Sequence, residues 1–336
     1  MSLKIANVVG ARPNLIKIAP VISEMGRFTD IEPMLIHTGQ HYDETMSEVF
    51  FRELGIPTPN YNLGVGSGTH THHTAQVMLA LEPLLVKLRP DCVMVVGDVN
   101  STLAATLVAA KLCIPVAHVE AGLRSFDPTM SEEINRKLTD VVSDYLFTTA
   151  RDADENLKRE GIPGHKIFFV GNVMIDTLLR HRSRAKALQV PAKYGVASNN
   201  YALLTLHRPS NVDSADDLST ILGALEEIQT RLPIVFPAHP RTFERLKSFG
   251  FLQWVERMPG LRLMEPLGYL EFLGLMSEAR LVLTDSGGVQ EETTVLGIPC
   301  LTLRKNTERP VTVTQGTNEI VGTSKERIID AAWRIL

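Results

Sequence analysis

LKIANVVGARPNLIKIAP, residues 3–20, holds a complete structural unit. LKIANVV (3–9) reads as a strand. Gly10 and Ala11 allow a tight turn, and Pro13 suits the first turn of a helix, where a missing N–H costs nothing. The same alternation continues along the chain. MLIH (34–37), DCVMVVG (91–97), PVAHV (115–119), YLFT (145–148) and KIFFVG (166–171) are further strand candidates, and STLAATLVAAKL (101–112) is a helical pattern between two of them. Strands alternating with helices predict a parallel α/β sheet covered on both faces.

The pattern breaks near 173–199, where MIDTLLRHRSRAKALQV reads as one helix and PAKYGVASNN as a polar, turn-rich connector. It then restarts with YALLTLH (201–207), PIVFPAH (233–239), LRLME (261–265), RLVLTD (280–285), PCLTLR (299–304) and NEIVG (318–322). The prediction is two Rossmann-like, doubly wound domains, 1–172 and 200–336, joined by 173–199, with the last helix free to pack back on the first domain. Ligands of open parallel sheets sit beyond the carboxyl ends of the strands. Two such domains facing each other place those ends around a cleft, so the functional search belongs just after each strand.

Bulk composition excludes several classes. The chain has 336 residues, 44% apolar and 21% charged, with a formal net charge of -4. A nucleic-acid partner would call for a basic patch or high pI, and no run of Lys and Arg stands out. Cys92, Cys113 and Cys300 are scattered, which favours buried small hydrophobes in a reducing compartment over a disulfide or metal site. MSLKIANVV is too short an apolar stretch for a signal peptide. No segment approaches the roughly 20 apolar residues of a membrane span. A cytoplasmic protein without a membrane partner is expected.

Polar residues gather at the strand ends. Arg12 lies in the loop after the first strand and Lys17 about one helical turn in; two cations beside a helix N-terminus suit a diphosphate, although a solvated face would give the same pair. Asp98 follows DCVMVVG, where it could equally cap the next helix. HVEAGLRSFDPTMSEEINR (118–136) carries Glu120, Asp127, Glu132 and Glu133 with Arg124 and Arg136. Ser131 reads as a helix cap, and Glu132 and Arg136 share a helical face at i,i+4. Asp127 and Glu133 read as ordinary loop and helix-start charges. In the second half, His207-Arg208 and His239 with Arg241 follow strands. His70, His72 and His73 lack partners at ligand spacing, so no metal is assigned. The sharpest signal is TDSGGVQEETTVLGIP (284–299). Ser286, Gly287 and Gly288 open a helix after a strand, so backbone N–H groups can approach a phosphate. Glu292, one turn in, could accept from both hydroxyls of a ribose.

Together these segments resemble the non-hydrolysing UDP-N-acetylglucosamine 2-epimerases nearly end to end. The similarity is carried by GARPNLIKIAP (10–20), TGQHYD (38–43), GDVNST (97–102), HVEAGLRS (118–125), EEINR (132–136), GNVMID (171–176), LHRPSNVD (206–213), TDSGGVQEE (284–292), TERP (307–310) and GTNEIVG (316–322). The resemblance implies the two-domain fold of GT-B glycosyltransferases, a UDP-2-acetamido sugar substrate, no cofactor and a homodimer. It implies that Ser286, Gly287, Gly288, Glu292, Arg309, His207 and Phe272 hold UDP, and that Arg12 and Lys17 contact phosphate. Asp98, Glu120, Glu132 and Arg136 match the family's candidate catalytic positions, with Arg136 orienting Glu132 and with His207 and Lys17 assisting the departure of UDP.

The family's chemistry accounts for this acid-rich set. The C2 proton of the sugar is not α to a carbonyl. Breaking the C1–O bond to UDP builds positive charge at C1 and acidifies that proton. Elimination leaves a 2-acetamidoglucal, to which UDP is added back with the new proton on the opposite face. Flanking carboxylates stabilise such a centre, and at least one must be kept protonated or near-neutral by its surroundings.

Two segments depart from the family pattern. His207-Arg208-Pro209-Ser210 stands where some bacterial members have His-Arg-Arg-Glu. Gln40 and His41 match a site at which a second substrate molecule activates some members, but Asp43 replaces a usual Gln and GVGSGTH (64–70) lacks an Arg, which argues against activation here. Other readings of the same residues are a hydrolysing 2-epimerase, a GT-B glycosyltransferase and a silent UDP-sugar sensor.

Overall fold

The apolar runs become strands because helices bury them on both faces. In the computed structural model, which describes residues 2–39 and 50–336, the chain divides into two compact units, Met1–Thr177 and Leu178–Leu336. The strands of the first unit are β1 (Leu3–Val9), β2 (Ile31–His37), β3 (Tyr61–Asn62), β4 (Cys92–Val96), β5 (Val116–Ala121), β6 (Tyr145–Thr148) and β7 (Ile167–Phe169). Among the described residues they form one sheet in the order β3-β2-β1-β4-β5-β6-β7, every pair parallel. Val8, Ile36, Val93 and Val95 meet Leu81 and Leu85 of helix His70–Leu88 in its core.

The second unit repeats the plan with β8 (Ala202–Thr205), β9 (Ile234–Pro237), β10 (Leu261–Met264), β11 (Leu281–Thr284), β12 (Cys300–Thr302) and β13 (Asn318–Ile320), again parallel, in the order β10-β9-β8-β11-β12-β13. Leu204, Leu283 and Leu301 meet Leu218, Ile221 and Leu225 of helix Ala215–Ile228. Each such side chain contributes roughly 1.5–3 kcal/mol on burial. Both sheets reverse their strand order beside the first strand, between β1 and β4 and between β8 and β11. In a doubly wound sheet that reversal opens the crevice where ligands bind.

Several expectations need adjustment. β3 escaped prediction because two residues, paired as Ile36 with Tyr61 and His37 with Asn62, carry no periodicity. The predicted connecting helix is two helices, Val173–Ala187 and Val190–Lys193, broken at Gln189, whose φ is 49°. The chain passes from one unit to the other inside the first of them rather than through a separate linker. The closing helix Lys325–Ile335 packs on helix Ala215–Ile228 of its own unit. Ser131 is the first residue of helix Ser131–Val142 and not its cap; Met130 holds the N-cap position.

A buried polar network ties β5 to its neighbours. His118, fully buried, lies with Nδ1 2.7 Å from Asp140 Oδ1 and Nε2 2.9 Å from the Gly97 carbonyl. Asp140 also accepts from the Gly122 N–H at 3.1 Å and pairs with Arg124 at 2.8 Å. Arg124 donates twice to Glu160, at 2.8 and 2.6 Å. Burial opposes the ionisation of Asp140, but His118 and Arg124 hold its carboxyl below the usual range. Because the folded state depresses this acid, its contribution to stability is present above the ordinary carboxylate range and is lost only as the pH falls below it. Asp140→Asn leaves Arg124 and His118 facing a neutral amide. We expect a loss of about 3 kcal/mol, read by scanning calorimetry near neutral pH as a melting temperature several degrees lower. An unchanged melting point would show that the network carries no stability.

Candidate functional site

In the first unit the site grows from the turn after β1. Asn14 accepts from the N–H groups of Gly10 (3.2 Å) and Ala11 (3.0 Å) and donates to the Val96 carbonyl at 2.8 Å. That one amide fixes the end of β1 to the end of β4. Lys17, on the same helix, is buried and forms an ion pair with the buried Glu120. Glu120 is the extra residue of a bulge in β5, since pairing with β6 jumps from Val119 to Ala121. Its φ is +74°, a conformation that costs a non-glycine residue about 1–2 kcal/mol. Such strain persists where the surroundings over-determine it, characteristically at functional sites. Gly97 makes the pairing possible: a β-carbon there would lie 2.8 Å from Lys17 Nζ and 3.3 Å from Glu120 Oε2.

Asp98, the next residue, is held from two sides. Its carboxylate accepts from Arg136 Nε at 3.0 Å, and its carbonyl accepts from Asn135 at 2.9 Å. Helical spacing predicts Arg136 beside Glu132; the structure shows it paired with Glu133, at i+3, and with Asp98. Glu133 is correspondingly no helix-start surface charge. It is 1% exposed and accepts from the Ser125 N–H, the Ser125 hydroxyl and the Phe126 N–H. Glu132 is half-buried and accepts from the Ser131 hydroxyl at 3.1 Å. Asp127 binds Thr129 within its own loop. Arg12 is half-buried, with its guanidinium 5.6 Å from the centroid of the Phe50 ring. Lys17, Asp98, Glu120 and Arg136 thus stand together at the carboxyl ends of β1, β4 and β5. Gln40 and His41 lie outside the described residues. Among the described residues no cluster of His, Cys, Asp and Glu has the arrangement of a metal site.

In the second unit the matching position is taken by His207, after β8, and Asp285, after β11. Asp285 is fully buried and accepts from the backbone N–H groups of His207 and Arg208, both at 2.9 Å, and from Asn211 at 3.2 Å. His207 Nδ1 lies 2.8 Å from Asp285 Oδ1. Burial opposes the charge on Asp285; His207 and the two backbone donors outweigh it and keep the carboxyl below the usual range. The imidazole is thereby anchored through Nδ1, with His239 packed 5.9 Å from it, centroid to centroid.

Helix Gly287–Leu296 begins at Ser286 as predicted, with Gly287 and Gly288 in its first turn. Its N-terminus already faces a carboxylate. A β-carbon at Gly287 would lie 2.2 Å from Glu308 Oε1. Glu308 pairs with Arg304 at 2.9 Å and lies 3.7 Å from Arg208, while Arg309 pairs with Glu291 at 3.1 Å. The helix end and three arginines make an environment for negative charge. Glu292, one turn in, is buried and accepts from the Tyr269 hydroxyl at 3.1 Å. Burial pushes its carboxyl up to about 8 against the opposing Tyr269 bond, and neighbouring Glu291 adds to the rise. Phe272 is half-buried on helix Tyr269–Ser277.

Sequence reasoning missed Asn14, His118, Asp140, Glu133, Asp285, Glu308 and Tyr269. Asp285 could have been found, because it ends a strand and precedes Ser-Gly-Gly. The others carry no local signal; only burial and long-range partners reveal them.

Comparison with known proteins shows the family and the fold. The family model described as UDP-N-acetylglucosamine 2-epimerase matches residues 23–336. The UDP-N-acetylglucosamine 2-epimerase of Methanocaldococcus jannaschii is 48% identical over 334 residues, 98% of this chain and 91% of that protein. The crystal structure of the M. jannaschii enzyme in complex with UDP-GlcNAc and UDP superposes with a TM-score of 0.95, covering 99% of this chain and 93% of that one. The UDP-2,3-diacetamido-2,3-dideoxy-D-glucuronate 2-epimerase of Pseudomonas aeruginosa is 44% identical over 98% of this chain and 91% of its own length.

The buried Glu292 yields a test that needs no ligand. Its folded-state pKa of about 8 lies above the ordinary 4.5, so the folded protein holds this proton more tightly than the unfolded one. Stability from this group is present below the ordinary value and declines as the pH rises through about 8, by a few kcal/mol in total. Glu292→Gln should abolish that decline. Melting curves of parent and variant are expected to diverge between about pH 4.5 and about pH 8 and to run parallel above that, where the variant is the more stable; curves parallel throughout would remove the buried ionisation.

Proposed function

Since the chain belongs to the UDP-N-acetylglucosamine 2-epimerase family, we propose that this isomerase interconverts UDP-N-acetylglucosamine and UDP-N-acetylmannosamine at C2. The observation that carries the proposal is the Lys17–Glu120 pair beside Asp98–Arg136 at the strand ends of the first unit. In the proposed reaction the C2 proton passes to a carboxylate, the C1–C2 double bond forms, and the C1–O electron pair leaves on the diphosphate of UDP. In the return step a second acid protonates C2 from the opposite face while the UDP oxygen adds to C1. Asp98, Glu120 and Glu132 are assigned the proton transfers and the stabilisation of charge at C1. Lys17 neutralises Glu120 and, with Arg12 and His207, stabilises the departing UDP. Arg136 positions Asp98. Ser286, Gly287, Gly288 and Arg309 hold the diphosphate, Glu292 the ribose and Phe272 the base. The compartment proposed is the cytoplasm.

The Pseudomonas relative supports a second reading of the substrate, a UDP-2-acetamido sugar with further substituents. The two share the same C2 chemistry and differ only in the sugar accepted.

The proposed assembly is a homodimer. Ile134, Leu138 and Val141 form an exposed apolar stripe on helix Ser131–Val142, and Leu79 and Val86 are exposed on helix His70–Leu88. Helix Asn100–Lys111 packs against both. Exposed apolar side chains on these neighbouring helices suit an interaction surface, and a second copy of the chain can match it isologously.

Incubation with UDP-N-acetylglucosamine in heavy water, followed by NMR, should give deuterium at C2 and a mixture of the two epimers. Net free sugar would point to a hydrolase instead, and unchanged substrate to another UDP-2-acetamido sugar, a transferase or a sensor. Glu120→Gln should slow exchange by about 10²–10⁴-fold while UDP still binds; exchange at the parent rate would remove Glu120 from the site. Leu138→Glu with Val141→Glu should halve the mass seen by light scattering, and an unaltered mass would move the interface elsewhere.

A further inference from the structure

We propose that Tyr269 is a positioning residue of the nucleotide site: its phenol fixes one oxygen of Glu292 so that the carboxylate is presented to the ribose in one orientation. The inference rests on the assignment of Glu292 to the ribose made above. The Tyr269 hydroxyl lies 3.1 Å from Glu292 Oε1, and both side chains are buried. Burial and the adjacent Glu292 push the phenol's pKa upward, so it keeps its proton and serves as the donor. Rotation about the terminal torsion of a glutamate is broad and roughly two-fold. One anchored oxygen selects among those orientations before the ligand arrives, which is where preorganisation gains affinity.

Tyr269 is itself held by the segment that leads into the second unit. His181, on helix Val173–Ala187, meets its ring edge-to-face at 6.3 Å and 88°. Burial, and then Arg184 and Arg180, keep that imidazole's pKa below its ordinary value, consistent with a neutral ring against an aromatic one. One turn on, the backbone at Gly274 passes against Val190 and the Ala185 carbonyl. Lys193 pairs with Glu271 on the same helix as Tyr269. Helix Tyr269–Ser277 in turn packs on helix Gly287–Leu296, which carries Glu292. Three independent contacts therefore set the place of one phenol. A tyrosine needed only to fill the core would not require its hydroxyl to meet a buried carboxylate.

The hydrogen bond also favours the ionised form of Glu292, the form that accepts from ribose hydroxyls. Tyr269→Phe keeps the ring and its packing and removes only the donor. Binding of UDP and of 2′,3′-dideoxyuridine diphosphate is measured by calorimetry from about pH 6 to about pH 9 on the parent, Glu292→Gln and Tyr269→Phe. The parent should prefer UDP, with affinity rising as Glu292 ionises. Tyr269→Phe should bind UDP about tenfold more weakly near neutral pH, bind the dideoxy analogue like the parent, and reach full UDP affinity only at higher pH. Glu292→Gln should lose most of the preference for UDP. If Glu292→Gln retains it, the ribose assignment fails. If that variant loses it while Tyr269→Phe matches the parent, or weakens both ligands equally, Tyr269 has no positioning role.

Discussion

A charge withdrawn from water must be matched by a partner or it destabilises the fold. That constraint governs both halves of this protein. The carboxylates around the strand ends and the helices that follow them are deep: Glu120, Asp140, Asp285, Glu292 and Glu308 are all buried. Each is compensated by something fetched from another element. Lys17 comes from the helix after β1, Arg124 from the loop after β5, and the backbone N–H groups around Asp285 from the turn after β8. Pairing therefore serves twice, tolerating the charge and fixing the loops that carry it.

The two units answer the constraint differently. In the first, cations meet carboxylates directly, and the strained backbone of Glu120 is held in place by Lys17 and the space left at Gly97. In the second, the acids are spread between a histidine, a helix end and three arginines. Asp285 anchors His207, Glu308 occupies the mouth of helix Gly287–Leu296, and Glu292 is left with a phenol as its donor. A set of paired acids suits proton transfer at carbon, and an electropositive helix end suits a diphosphate. Epimerisation by elimination and re-addition of UDP needs both capacities.

His118 connects fold to chemistry in the first unit. It lies two residues before Glu120 in β5, and it binds both Asp140 and the carbonyl of Gly97, the residue that precedes Asp98. The network that stabilises the sheet thus also holds the turn bearing Asp98 and the strand end bearing Glu120, two of the proposed catalytic groups. Mutations there are expected to disturb stability and catalysis together.

The sequence by itself determined the class of fold and the strand ends at which the polar residues gather. Apolar runs bounded by Gly, Pro and Asn favour strands locally, and Ser286-Gly287-Gly288 opens a helix after β11. Tertiary structure alone decided who pairs with whom. Arg136 pairs with Glu133, three residues away on its helix, and Glu133 is buried under the Ser125 turn, a contact that the i,i+4 spacing to Glu132 does not foretell. Asp140 and Tyr269 look like any helix residues until strands and helices far away in sequence bring His118 and Glu292 to them. Local periodicity encodes which face is apolar. Partners for buried charges are chosen by packing across long sequence separations, which no local pattern records.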